Sequence, residues 1–197
     1  MSAQRPVLAI DIDEVLFPFT AHINDYYNQQ QSAAVRLEDY ADYALETAWG
    51  ISREAARPYI DAFMRQEHRH IKPVGQALES IDALSGRYQL VVVTARDGEF
   101  ERETKRWLLH HFPHQFEDVI LAGNHFTGRN FRTKSEICRS LGAVYLIDDA
   151  LHNVLDCAGA GVPGLLFGSY PWNQTTEALP ANVRRVSGWD EVRQILL

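Results

Sequence analysis

The stretch VLAIDIDEVLF (7–17) carries an apolar run into two aspartates, Asp11 and Asp13, one residue apart, before apolar residues resume. The aspartates alternate with Ile10 and Ile12, so a strand that continued through them would present both carboxylates on one face. An unbroken apolar run is how a strand covered on both faces of a parallel sheet reads. Two acids at its carboxyl end suit a site, because ligands of open α/β sheets gather at the carboxyl ends of the strands.

Working outward, four further apolar runs read as strands: 88–95, 117–123, 143–149 and 163–168. Helical patterns at 73–85, 98–112, 133–141 and 150–160 separate them, with Gly86, Gly142 and Gly161 as stops. This alternation predicts an open, parallel α/β sheet with right-handed crossovers. The first connection breaks the rhythm. Residues 18–71 hold no convincing strand and read as helices over 20–31, 36–49 (stopped by Gly50) and 52–66 (capped by Ser52), the last expected to divide at Pro58. A connection of that length is an insertion rather than a loop. It predicts a small all-helical cap, 18–71, over an α/β core made of 1–17 and 72–197.

The 197 residues are 46% hydrophobic and 23% charged, as in an ordinary globular chain with a real core. A net charge of −7 excludes a general binder of nucleic-acid polymer, which needs a basic face. No apolar run approaches the roughly 18–20 residues that span a bilayer. The start, MSAQRP, runs directly into the first strand, and Cys138 and Cys157 make no disulfide framework, so reduced thiols and a cytoplasmic location are expected. Oligomeric state is left open.

The strand ends supply one chemistry. Asp11 and Asp13 end the first strand, Thr94 the second with Arg96 just beyond, and Asp148 and Asp149 the fourth; Lys134 opens the helix before that fourth strand. Four crowded carboxylates repel one another unless a cation joins them. All-oxygen ligation suits magnesium. Magnesium, a lysine and a threonine hydroxyl together receive a tetrahedral dianion, and phosphoryl transfer is largely positioning and charge stabilisation. One carboxylate would attack phosphorus while the other handles a proton.

The set DIDEV (11–15 with its flanks), VVVTAR (91–96), RTKSEIC (132–138) and LIDDALHN (146–153) resembles the haloacid dehalogenase superfamily of aspartate-nucleophile phosphatases, in order and spacing. The resemblance implies a Rossmann-like three-layer core and assigns roles. Asp11 is the nucleophile forming an aspartyl-phosphate, and Asp13 the general acid and then base. Thr94 donates to phosphate, and Lys134 neutralises the nucleophile and transferring group. Asp148 and Asp149 hold magnesium with Asp11 and the main-chain carbonyl of Asp13. Which of Asp148 and Asp149 touches the metal is left open. The acid at Asp13 argues for phosphate rather than halide chemistry.

A closer resemblance is to the 5′(3′)-deoxyribonucleotidase branch. It rests on the helical insertion, HIKPVGQALESIDAL (70–84), SGWDEVRQIL (187–196) and Phe19, eight residues after Asp11, which matches an aromatic that packs on the nucleobase. Glu14 replaces a glycine and Ala95 a serine common in that branch. The resemblance implies a nucleoside or deoxynucleoside monophosphate as substrate. Other small phosphate esters, phosphomutase activity and a non-catalytic binding protein are the alternatives.

Substrate contact is expected at Phe19, at Ala95 and Arg96, at His125 in GNHF and at Trp172 in YPWN. The other insertion aromatics, Tyr26, Tyr27, Trp49 and Phe63, read as packing. The histidines of EHRH (67–70) and HHFPH (110–114) lack metal-site spacing and read as surface. Arg129 and Arg132 read as a solvated loop, and Asn153 as a partner of the metal-binding carboxylates.

Overall fold

The computed structural model describes residues 5–66, 68–122 and 132–197. Six parallel strands, β1 (Val7–Ile10), β2 (Gln89–Thr94), β3 (Phe116–Leu121), β4 (Ala143–Asp148), β5 (Gly164–Phe167) and β6 (Val183–Val186), form one sheet. Their order is β3-β2-β1-β4-β5-β6, so the chain winds one way from β1 through β2 and β3 and the other way through β4 to β6. The reversal places a crevice beside the carboxyl end of β1. In register, Ile10 lies opposite both Val92 and Ile147, which brings Asp11 level with the ends of β2 and β4.

Alternation in β1 assigns its side chains to two cores. Leu8 and Ile10 join the larger one, with Leu90, Val92, Phe167 and Trp189, while Ala9 joins the other, with Val91, Val93, Ile137 and Cys138. Helices α4 (Ala77–Ser85) and α8 (Trp189–Leu196) pack together over the first face, with Trp107 and Leu108 of α5 (Glu101–His111) in the same core. Helices α6 (Lys134–Leu141) and α7 (Leu151–Gly159) pack together over the second. Both faces are covered, which is why these strands lack a polar stripe. Cys138 and Cys157 are free thiols, fully buried in the second core. Trp189, wholly buried, donates its indole N–H to the Val15 carbonyl at 2.9 Å and so ties the C-terminal helix to the loop after β1.

The insertion is helical, as expected: α1 (Phe19–Gln31), α2 (Leu45–Trp49) and α3 (Arg53–Met64). Its centre is aromatic, with Tyr27 and Trp49 stacked at 4.1 Å and both Trp49 and Tyr40 donating to buried Asn24 Oδ1, at 2.9 and 2.7 Å. The helix expected over 36–49 is replaced by a 3-10 turn, Leu37–Asp39, a bend and the short α2. Asp39 and Asp42 cause this by accepting from the main-chain N–H groups of Arg36 and Ala44, local bonds that compete with the helix. Pro58 does not divide α3; the helix runs through it. The helix expected from 73 begins only at Ala77, because Gln76 takes a left-handed backbone conformation. Strand β6 is unanticipated; VRRV has no apolar run and pairs as an edge strand along β5. Among the described residues no helix is long and apolar enough to cross a membrane.

Candidate active site

Strand β1 stops at Ile10, and Asp11 continues the ladder by one bond, from its N–H to the Ile147 carbonyl at 2.9 Å. The chain then folds tightly, with the N–H groups of Leu16 and Phe17 both reaching the Ile12 carbonyl and Glu14 at φ +61°. Glu14 Oε1 accepts from the Thr20 N–H at 2.5 Å, in the first turn of α1, where an N-terminal N–H lacks a helical partner. Lys134 is the first residue of α6, placed by a capping box in which Thr133 and Glu136 satisfy each other's main-chain N–H groups. From there Lys134 Nζ lies 2.7 Å from Asp11 Oδ1 and donates to Asp148 Oδ2 at 2.7 Å.

Oxygens of Asp11, Asp148 and Asp149 lie within 4.8 Å of one another, all three residues being buried. One lysine does not neutralise three acids. Burial therefore dominates and pushes the Asp11 carboxyl up to about 7, Lys134 offsetting it in part while Asp148 and Asp13 add to it. Asp149 is likewise raised, by burial and then by Asp148 and Asp11. Burial alone would lower Lys134, but Asp11 and Asp148 outweigh it and hold the ammonium charged. Asp11 Oδ1 has the Lys134 ion pair but no well-directed hydrogen bond. Under-neutralised, oxygen-only and buried, the cluster fits a hard divalent cation such as magnesium.

The adjacent acids differ. Asp148 is engaged on both oxygens, by Lys134, by the Ala150 N–H at 2.9 Å and by Asn153 Nδ2 at 3.3 Å. Asp149 Oδ2 accepts from the indole N–H of Trp172 at 2.7 Å, and Asn173 Nδ2 donates to the Asp149 carbonyl at 3.0 Å. The ring of Trp172, the residue expected at substrate, stacks on Tyr170 at 4.9 Å and meets Tyr40 of the insertion edge-on. Tyr170 and Asn173 were not anticipated, although YPWN ends the fifth strand run where such partners would stand; Tyr170 OH donates to the Glu14 carbonyl at 2.9 Å.

The Asp13 carboxylate is not part of that three-acid group. Arg96 grips it, Nε reaching both oxygens at 3.0 and 3.2 Å and Nη2 reaching Oδ1 at 2.5 Å. Thr94 is buried at the end of β2, its hydroxyl accepting from the Arg96 N–H at 3.2 Å. A cavity of about 200 Å3 opens against Asp13 and Arg96, walled by Phe19, Ile60, Met64 and Phe100, with Ala95 at its edge. Phe19 meets Phe63 edge-on at 5.8 Å. Asn153 stands where the sequence places it, and Arg132 bonds Ser140 on the surface of α6. His125 and Arg129 lie outside the described residues. His68 corrects the surface reading: it is buried between Phe17 and Phe63, at ring distances of 5.7 and 4.4 Å.

Comparison with known proteins agrees with this fold. A "Putative nucleotidase YqfW" of Bacillus subtilis is 26% identical over 188 residues, covering 95% of this chain and 91% of that protein. Among solved structures, a haloacid dehalogenase-like hydrolase from Streptococcus pneumoniae superposes with a TM-score of 0.69 at 15% identity, over the full length of both chains. The "putative HAD-hydrolase YfnB" of Bacillus subtilis, described as bound to magnesium, gives 0.61 at 14% identity, covering 98% of this chain and 99% of that one. The family model described as "5' nucleotidase, deoxy (Pyrimidine), cytosolic type C protein" matches residues 5–197. With the acidic cluster at the carboxyl edge of a parallel sheet and a family match over nearly the whole chain, this protein belongs to that nucleotidase family, within the haloacid dehalogenase superfamily of phosphatases.

Proposed function

We propose that the protein is a magnesium-dependent phosphomonoesterase for nucleoside or deoxynucleoside monophosphates, working through an aspartyl-phosphate. The observation that carries this is Lys134 set between Asp11 and Asp148 at 2.7 Å from each, with Asp13 one turn of chain away against a cavity. Asp11 attacks phosphorus, and the P–O bond to the alcohol breaks as Asp13 gives that oxygen a proton. Water then attacks the aspartyl-phosphate, Asp13 takes its proton, and phosphate leaves with Asp11 restored. Lys134 balances the nucleophile and the transferring group, and the Thr94 hydroxyl donates to a phosphate oxygen. Asp11, Asp149 and the Asp13 main-chain carbonyl would hold magnesium directly, since donors already occupy both oxygens of Asp148. Bound there, the cation supplies neutralisation of charge on the phosphate oxygens.

Residues 18–71 serve as a cap over the core of 1–17 and 72–197. The apolar wall of Phe19, Ile60, Met64 and Phe100 supports a flat, apolar leaving group such as a nucleobase. The test is phosphate release from ribo- and deoxyribonucleoside 5′- and 3′-monophosphates and sugar phosphates, with and without magnesium. Release confined to nucleotides, requiring magnesium and lost in Asp11→Asn, is the expected result. Release from sugar phosphates alone keeps the mechanism and discards the nucleotide reading; no release from any ester discards the phosphatase reading.

A further inference from the structure

We propose that Arg96 is the positioning residue of Asp13, acting on the reaction through that carboxylate rather than by gripping the phosphate. The inference rests on the phosphatase reading above and assigns a part of it to a residue just beyond the Thr94 strand end.

The geometry is that of a built clamp. The Arg96 side chain is 7% exposed, and its guanidinium is held on three sides. Nε and Nη2 fork onto Asp13, at 3.0 Å to Oδ2 and 2.5 Å to Oδ1. Nη1 donates to Thr104 Oγ1 on α5 at 3.1 Å. The guanidinium carbon lies 5.0 Å from the Phe17 ring centre, and Phe17 is itself pinned edge-on by Trp107 at 4.9 Å. Thr104 and Phe17 are both buried, so the clamp has a rigid base.

A planar fork fixes both the position and the plane of a carboxylate, which a lysine ammonium does not. Asp13 lies inside the tight turn after β1, between Ile12 and Glu14, where the backbone alone leaves its side-chain torsions open. Arg96 supplies what the backbone lacks. Asp13 and Arg96 also share a wall of the cavity, so an alcohol leaving from that cavity departs beside the clamped carboxylate. Misplacement of a catalytic group by about 1 Å costs on the order of 10²-fold in rate. Lys134 and Thr94 serve the phosphate side.

The test uses two esters of similar size that differ in need for a proton: 4-nitrophenyl phosphate, whose leaving group departs unaided, and benzyl phosphate, whose alkoxide does not. The constant compared is kcat/KM, which covers the steps up to departure of the alcohol. Arg96→Met is expected to lower kcat/KM for benzyl phosphate about 10²-fold, the scale of proton-transfer catalysis, and for 4-nitrophenyl phosphate by less than about tenfold. Asp13→Asn should show the same pattern, and the double variant should be no worse than Asp13→Asn. Arg96→Lys, which keeps the charge without the fork, should fall between wild type and Arg96→Met and gives a second reading should the methionine variant fold poorly. Equal losses on the two esters, or losses that multiply in the double variant, overturn the proposal. Wild-type activity on either ester or on any nucleotide leaves the phosphatase reading standing whatever the Arg96 variants do. A wild type inactive on all of them removes both.

Discussion

Trp172 and Arg96 each put a donor on an aspartate, the indole N–H on Asp149 and the guanidinium on Asp13. Where the carboxylate is a cation ligand, as proposed for Asp149, such an outer partner sets the angle at which it meets the cation. Trp172→Phe keeps the ring, its stack on Tyr170 and its contact with Tyr40 but deletes the N–H. Magnesium binding, measured by titration calorimetry on the substrate-free protein, should weaken by about 10–100-fold while the unfolding midpoint barely moves. Unchanged magnesium affinity would show the hydrogen bond to be idle. YPWN was legible as the loop after a strand, but not the direction of its tryptophan. That direction depends on Gly168, whose φ of +72° and missing side chain let the Tyr170 ring lie where a Cβ would be 2.5 Å away. Arg96 is similar. Its place beside Thr94 was readable, but its partner lies 83 positions earlier in the chain.

At the scale of elements, the local signals that served best were those with a mechanism inside a few residues. The sequence set Lys134 at the opening of a helix, and the structure supplies the cause, a capping box of Thr133 and Glu136. Strand β6 failed to announce itself because an edge strand of four residues with two arginines has no periodicity to read. It still matters to the site, since Arg185 donates to the Gly168 carbonyl at 3.0 Å and to Asn173 Oδ1 at 2.9 Å, bracing the loop that carries Trp172. Packing of α7 on β5 is another tertiary matter. A Cβ at Gly164 would sit 2.4 Å from Val154 Cγ1, so the helix approaches the strand only because that residue is glycine. Gly164→Ala should destabilise the fold by about 1–3 kcal/mol, read as a lower unfolding midpoint. Combining it with Val154→Ala should cost less than the sum of the two single changes. Strict additivity would show that the contact is not the cause.

For the molecule as a whole, the insertion and core meet around His68. Its Nε2–H donates to the Phe63 carbonyl at 2.8 Å, which leaves Nδ1 the bare nitrogen, buried without a hydrogen-bond partner. Burial lowers its pKa from the ordinary 6.5, with Arg96, His70 and His22 adding to the effect and the Phe63 carbonyl opposing it. A histidine with a lowered folded pKa binds its proton more readily in the unfolded chain, so its contribution to stability is intact above about 6.5 and is lost as pH falls. Unfolding midpoints from about pH 7.5 down to about 5.5 should therefore fall less steeply in His68→Gln, which keeps a donor and cannot titrate there. Parallel slopes in the two proteins would dismiss His68 as the cause. By itself the sequence determined five of the six strands, the helical insertion, the family and the acids at the strand ends, because periodicity and short-range motifs encode them within a few residues. The tertiary structure decided what those acids touch: Lys134 between Asp11 and Asp148, Arg96 on Asp13 and Trp172 on Asp149. Such contacts join positions remote in the chain, and only strand register and helix packing bring them within hydrogen-bonding distance.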